Sequence, residues 1–219
     1  MSSQTDLTKL TQELNTLVQD IQFLVRNLPY YITINQELLY TIACISFNPI
    51  FWNVVARLEY RTHFITKIVG SARRGCYLLA LVIFSLGVYR DHVYRNCLLN
   101  QPTYQPLVDS TIVKSIAMAT FGFGNVLVIS SMWALRITGT YLGDYFGILM
   151  KQRVTNFPFN INDNPMYNGS TLCFLGTALW YGKPAGIAIS LFVFIMYKVA
   201  LMFEEPFTAK IYANRAKLD

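Results

Sequence analysis

TLCFLGTALWYGKPAGIAISLFVFIMYKVALMF, Thr171 to Phe203, carries only two charged residues, Lys183 and Lys198. A run this long and this apolar exceeds one buried helix and suits lipid. Gly182-Lys183-Pro184 interrupts it. Glycine frees the backbone and proline lacks a helix donor, so the run reads as two apolar helices in a tight hairpin. The first arm is short for a bilayer, which predicts an oblique or partial crossing.

Three further apolar blocks lie upstream. Leu38 to Ala56 is long enough to span but contains Asn48-Pro49, so a kinked span and a re-entrant segment both remain open. Gly75 to Tyr89 is short, and its helix is expected to run past both charged flanks. Ile116 to Leu135 is a clear span holding Gly122, Gly124 and Asn125. The fold class is therefore an all-α integral membrane protein. It has about four to five membrane helices, counting the C-terminal hairpin, and an N-terminal amphipathic helix.

Composition agrees. Of 219 residues, 53% are hydrophobic and only 14% charged, with a mean hydropathy of +0.35. These charges are too few to coat a soluble surface. The net charge of +6 sits between apolar blocks, where it orients the chain and meets anionic headgroups; a nucleic-acid partner is not expected. Cys44, Cys76, Cys97 and Cys173 form no CxxC and read as small hydrophobes. His63 and His92 lack ligand spacing, so no metal site is expected. The N-terminus is too polar for a cleaved signal, leaving targeting to internal segments.

Leu7, Leu10, Leu14, Leu17, Ile21, Leu24 and Leu28 step by three and four up to Pro29. That is one helical stripe, on a helix that lies on the membrane or packs on the body of the protein. Few opposite charges flank it, which favours this over a coiled coil but leaves self-association through the helix open. The expected organisation is residues 1–37 as this helix and a linker, then a membrane unit over 38–219. If every block crosses, Arg57–Arg74, Arg136–Ser170 and the C-terminal tail share one side. That side holds most of the Lys and Arg, so it is the cytosolic one.

Three features carry chemistry. FGFG (Phe121 to Gly124) leaves backbone open to close approach, and its plain reading is helix packing. The loop TYLGDYFGILMKQRVTNFPFNINDNPMYNGS is long and rich in aromatics and amides, which marks a functional loop. It ends in a glycosylation triplet, Asn168-Gly169-Ser170, on the side where it would go unused. Glu204-Glu205-Pro206 sets adjacent carboxylates at the end of a span. They mark the water interface, or one binds a ligand cation; Lys198 is the alternative partner for Glu205.

Together with FNPIFWNVVARLEY (Phe47 to Tyr60), GFGNVLVISS and EEPFTAKIYANR, these segments resemble the phospholipid N-methyltransferases. The match covers most of the chain beyond the N-terminal helix and looks nearest the smaller fungal members, which prefer the later methylations. The resemblance implies S-adenosylmethionine-dependent methylation of phosphatidylethanolamine derivatives, mono- and dimethyl forms preferred, to phosphatidylcholine. It implies a donor site without a Rossmann fold, built from Gly122, Phe123, Gly124, Glu204 and Glu205. Asn164, Tyr167 and Gly169 look like part of the donor pocket of the related isoprenylcysteine methyltransferases. The lipid amine attacks the donor methyl in line and must first be neutral, so a base is needed. Candidate bases are Glu205, Glu59 and Asp144. Tyr145 and its aromatic neighbours are expected to hold the methylated ammonium, and Arg153 the lipid phosphate. Lys151 is better read as an interfacial anchor. Family members commonly have glycine where this chain has Arg136, whose side chain is expected to snorkel to a phosphate. The expected location is the endoplasmic reticulum membrane, multi-pass, with a mitochondrial membrane second. The rival readings are a carboxyl methyltransferase acting on isoprenylcysteine and a non-enzymatic scaffold.

Overall fold

The computed structural model describes residues 2–152 and 154–215, and all regular structure among them is helical. The hairpin forms as its sequence dictates. Helix α7 (Pro165–Trp180) ends before Gly182, whose φ of 60° is left-handed, and α8 (Pro184–Arg215) starts with proline at its first position. The turn is tied down by Lys183, whose Nζ donates to the Gln101 carbonyl at 2.6 Å and to Thr103 Oγ1 at 2.9 Å. Burial pulls this ammonium below its usual range.

Four helices are long and apolar enough to cross a membrane: α2 (Gln36–Thr62), α4 (Ala72–Leu99), α6 (within Thr111–Phe146) and α8. Short helices α3 (Phe64–Val69) and α5 (Gln105–Asp109) fill the connections, and α6 itself covers Thr111–Thr140. Helix α2 runs unbroken through Pro49 for 27 residues, so the first block has the continuous length of a span and not the broken form of a re-entrant segment. Asn35 caps it, its side chain accepting from the Leu38 N–H at 2.8 Å. Helix α4 extends past both charged flanks of its apolar block, which brings Arg90 to Arg95 inside the helix.

At 16 residues, α7 is shorter than the four helices long enough to span. It lies antiparallel against α6, where two glycines let backbones meet. A Cβ on Gly124 would stand 2.6 Å from the Gly169 carbonyl oxygen, and a Cβ on Gly169 the same distance from the Gly124 oxygen. Near its far end α6 breaks at Arg136, with φ 57° and ψ −177°. Glycine occupies that region readily and other residues rarely do, so the backbone here has the form that glycine would favour.

The N-terminal helix α1 (Ser2–Asn27) packs on the body of the protein. Leu17 and Leu24 are buried with Tyr104, Leu107 and Val113, and Tyr104 donates to the Asp20 carbonyl at 3.0 Å. Leu14 and Ile21 of the same stripe are exposed, and the side chains of Leu7 and Leu10 lie outside those described. All four cysteines are free.

The order of crossings puts the α2–α4 connection, the α6–α7 loop and the C-terminal half of α8 at one end. The α4–α6 connection, the hairpin turn and α1 lie at the other. Contacts agree: Arg57 Nη2 donates to the Phe203 carbonyl at 2.7 Å, and the Met150 N–H to Tyr212 Oη at 3.2 Å.

Candidate active site

Between α2, α4, α6, α7 and α8 lies a cavity of about 1550 Å³. That exceeds what one small ligand requires, since such pockets run to about 1,000 Å³. Phe84, Val88, Phe121 and Val128 give α4 and α6 apolar stretches of wall. One set of polar groups gathers towards the basic end of the bundle.

There Glu204, Glu205 and Asp144 all line the cavity. Glu204 is half-buried, and its Oε2 accepts from the Tyr167 hydroxyl at 2.7 Å. The Trp52 indole and the Arg57 charge flank it. Arg57 is fixed in turn by Asn53 Oδ1 at 2.7 Å and lies over the Phe207 ring at 4.9 Å. Glu205 is exposed and accepts from Asn164 Nδ2 at 3.0 Å. Asn164 stands at the start of α7, where Asn162 Oδ1 accepts from its backbone N–H at 2.9 Å and from Asn168 Nδ2 at 2.8 Å. The amide-rich loop thus works as a clamp: it sets the first turn of α7, and that turn sets the carboxylates. Asp144 is held beside Thr208 and by backbone N–H groups of its own turn. Lys198 does not reach Glu205; its Nζ lies over the Phe194 ring.

Other sequence-derived candidates fall elsewhere. Glu59 is fully buried and does not line the cavity. Its carboxylate accepts from the Ile65 N–H at 2.7 Å and from Thr66 Oγ1, holding the first turn of α3. As a base it is misplaced: both oxygens are already committed. Gly122 faces open space and Phe123 is half exposed; neither lines the cavity. Gly124 and Gly169 form the α6–α7 contact behind it. Tyr145 packs just outside the wall, stacked on Phe207 with ring centroids 5.1 Å apart. Its buried hydroxyl has no protein partner of normal hydrogen-bond geometry. Lys151 lines the cavity, and Arg153 lies outside the described residues.

Sequence reading missed Trp52, Tyr197 and the Arg90–Asp91 pair, all on the cavity wall. A signal for the last existed: YRDHVYR follows an apolar block directly, and a helix that continues through it carries charge into the membrane. No group of His, Cys, Asp and Glu suited to a metal ion occurs among the described residues.

The sequence model of the family described as phospholipid methyltransferase matches residues 113–215. Phosphatidyl-N-methylethanolamine N-methyltransferase of Saccharomyces cerevisiae is 61% identical over 176 residues, covering 80% of this chain and 85% of that protein. The protein of the same name from Emericella nidulans is 56% identical, covering 85% and 91%. Human phosphatidylethanolamine N-methyltransferase is 44% identical, covering 88% and 96%. No solved structure matches. With relatives this similar along at least 80% of its length, the chain belongs to the phospholipid methyltransferase family.

Proposed function

We propose that the protein transfers methyl groups from S-adenosylmethionine to the amine of phosphatidylethanolamine derivatives, preferring the mono- and dimethyl forms and yielding phosphatidylcholine. The observation that carries this reading is the pair Glu204 and Glu205. Each is held by a donor from one turn of α7, and both front a cavity large enough for two ligands. Two fixed carboxylates suit a cationic donor, because a cation offsets the cost of keeping an acid away from bulk water.

When bound, the donor supplies an activated methyl on a sulfonium centre. The chain's own residues bind, orient and deprotonate. Glu204, held by Tyr167, presents fixed negative charge where positive charge must be accommodated. Orientation by the surrounding helices supplies much of the rate. An ammonium has no lone pair, so the substrate must lose a proton before attack. Glu205 suits that task best: it is exposed, keeps lone pairs beyond the Asn164 bond, and has a path to solvent. Asp144, bonded within its own turn and beside Thr208, is the second candidate. Trp52 and Tyr167, with centroids 6.3 Å apart, offer ring faces to a methylated ammonium.

The end bearing these carboxylates also carries most of the Lys and Arg, so it faces the cytosol, with the endoplasmic reticulum as the expected membrane. The test is purified protein in lipid nanodiscs with labelled S-adenosylmethionine and each acceptor in turn. Label should enter the mono- and dimethyl lipids most rapidly. Label in none of the phospholipids would refute the reading.

A further inference from the structure

The cavity has a second polar centre that the methyl-donor motifs leave unexplained. Arg90 lies within α4 and lines the cavity, yet its side chain is only about a tenth exposed. Its Nε and Nη2 donate to Asp91 Oδ1 at 2.9 and 2.7 Å, and Nη1 to Tyr197 Oη at 2.5 Å. The guanidinium also sits 5.0 Å over the Phe174 ring. A guanidinium has five N–H donors. Three have acceptors here, which leaves one N–H on each terminal nitrogen to donate to oxygens of an anion.

Charge around this centre is not balanced. Arg95 and Lys198 also line the cavity. Asp91 is the one carboxylate that α4 contributes to the lining, and Arg90–Asp91 is the only ion pair among the described residues. The centre is therefore net positive, whereas the other end, where Glu204, Glu205, Asp144 and Asp163 outnumber Lys151 and Arg57, is net negative. Tyr197 precedes Glu204 by seven residues on α8, so the two centres are about 10 Å apart along the helix. Phe84, Val88 and Phe121 make the wall beside Arg90 apolar.

We infer that Arg90 is the oxyanion subsite of this cavity, gripping the phosphodiester of the acceptor lipid or the carboxylate of the methyl donor. The lipid headgroup carries one anionic and one cationic group, and the donor one carboxylate beside two cationic centres, so a cavity negative at one end and positive at the other orients either ligand in one sense. The inference rests on the phospholipid methyltransferase reading and adds the residue that fixes the anionic half of a ligand. Tyr197 acts as a positioning residue, and Ser170, with Oγ 3.1 Å from Tyr197 Oη, steadies that hydroxyl.

The test compares wild type, Arg90→Gln and Arg90→Lys in nanodiscs. Three readouts are taken: KM for the dimethyl lipid, direct calorimetric binding of S-adenosylhomocysteine, and binding of its decarboxylated form. If Arg90 holds the lipid phosphate, lipid KM rises roughly 10- to 100-fold and S-adenosylhomocysteine binding is unchanged. If it holds the donor carboxylate, S-adenosylhomocysteine binding falls by that factor while the decarboxylated form binds all variants alike. Either split supports the subsite and names its ligand. Arg90→Lys keeps the charge but loses the fork, so it should show a smaller shift of the same kind, and it serves if Arg90→Gln does not fold. Unchanged lipid KM and unchanged binding in a folded Arg90→Lys would overturn the inference, even if thermal stability had dropped. Wild type that methylates no phospholipid would instead remove the parent reading.

Discussion

Gly122 and Gly124 stand two residues apart, yet the structure gives them opposite sensitivities. A Cβ on Gly122 meets nothing within 4 Å. A Cβ on Gly124 would stand 2.6 Å from the Gly169 oxygen, about 0.8 Å inside the ordinary contact that starts at 3.4 Å. Neither backbone can yield alone, so α7 must move away from α6. Overpacking of this kind costs roughly 1–3 kcal/mol. Tyr167 lies two residues from Gly169 and donates to Glu204 at 2.7 Å. A rigid shift of α7 by that amount stretches the bond to at most about 3.5 Å, the edge of hydrogen-bond range. Losing a hydrogen bond to a charged group costs about 1.5–3 kcal/mol. Gly124→Ala should therefore weaken S-adenosylhomocysteine binding roughly 10- to 100-fold and lower the thermal midpoint in detergent. Gly122→Ala should leave both near wild type. Calorimetric titration and a melting curve on each purified variant decide it. Equal damage from the two substitutions would refute the reasoning, because the glycine pair would then touch the donor directly.

The two glutamates should separate in the same way. Glu204→Gln removes the half-buried charge fixed by Tyr167 and should raise the donor KM at least roughly tenfold. Glu205→Gln removes the exposed proton acceptor and should lower kcat with little change in donor KM; the opposite pattern would exchange their roles. Tyr167→Phe deletes one hydroxyl and should weaken donor binding by about 1.5–3 kcal/mol without unfolding the protein, and wild-type affinity would show that Glu204 needs no such clamp. Arg136→Gly releases backbone strain of about 1–3 kcal/mol, less about 0.5–1 kcal/mol for the added freedom of the unfolded glycine. The variant should gain stability in chemical unfolding, whereas Arg136→Ala, which keeps the strain, should not. A destabilised Arg136→Gly would mean that side-chain contacts of Arg136 outweigh its backbone cost.

The spans were legible because hydrophobic runs and helix breakers act locally. Gly182-Lys183-Pro184 marks the hairpin turn whatever surrounds it, and the turn is found there. Asn48-Pro49 was ambiguous for a physical reason: proline removes one hydrogen bond, and only neighbouring helices decide whether a long helix survives that loss. Glu204, Glu205, Asn164 and Tyr167 share one cavity, and motif resemblance pointed to all four. Glu59 misled because an acid in a motif-bearing segment looks chemical until its acceptors are counted. Its role as a cap depends on α3, a six-residue helix with no apolar period of its own. Arg90 escaped because the apolar block stops at Tyr89. Hydropathy ends a span at the first charge, whereas the helix itself continues to Leu99.

The length of α7 explains how carboxylates come to front the cavity with access to water. Its 16 residues rise about 24 Å, short of a hydrocarbon core of about 30 Å. Helix α6, with 30 residues, continues well beyond it. The missing turns of α7 are replaced by polar loop, Asn162 to Asn164, which folds over α8 at the level of Glu204 and Glu205. A full-length apolar helix there would have covered both acids with side chains unable to hydrogen-bond, and each would have been costly to keep ionised. The shortened helix substitutes amide donors and a route to water. The close glycine contact then fixes where α7 begins, since sliding it by one residue would replace Gly169 at the crossing with Asn168 or Ser170. On this view the glycine motif and the glutamate motif serve one site through a third party. Gly124 holds α7 in register, the first turn of α7 holds the carboxylates, and the carboxylates face the cavity.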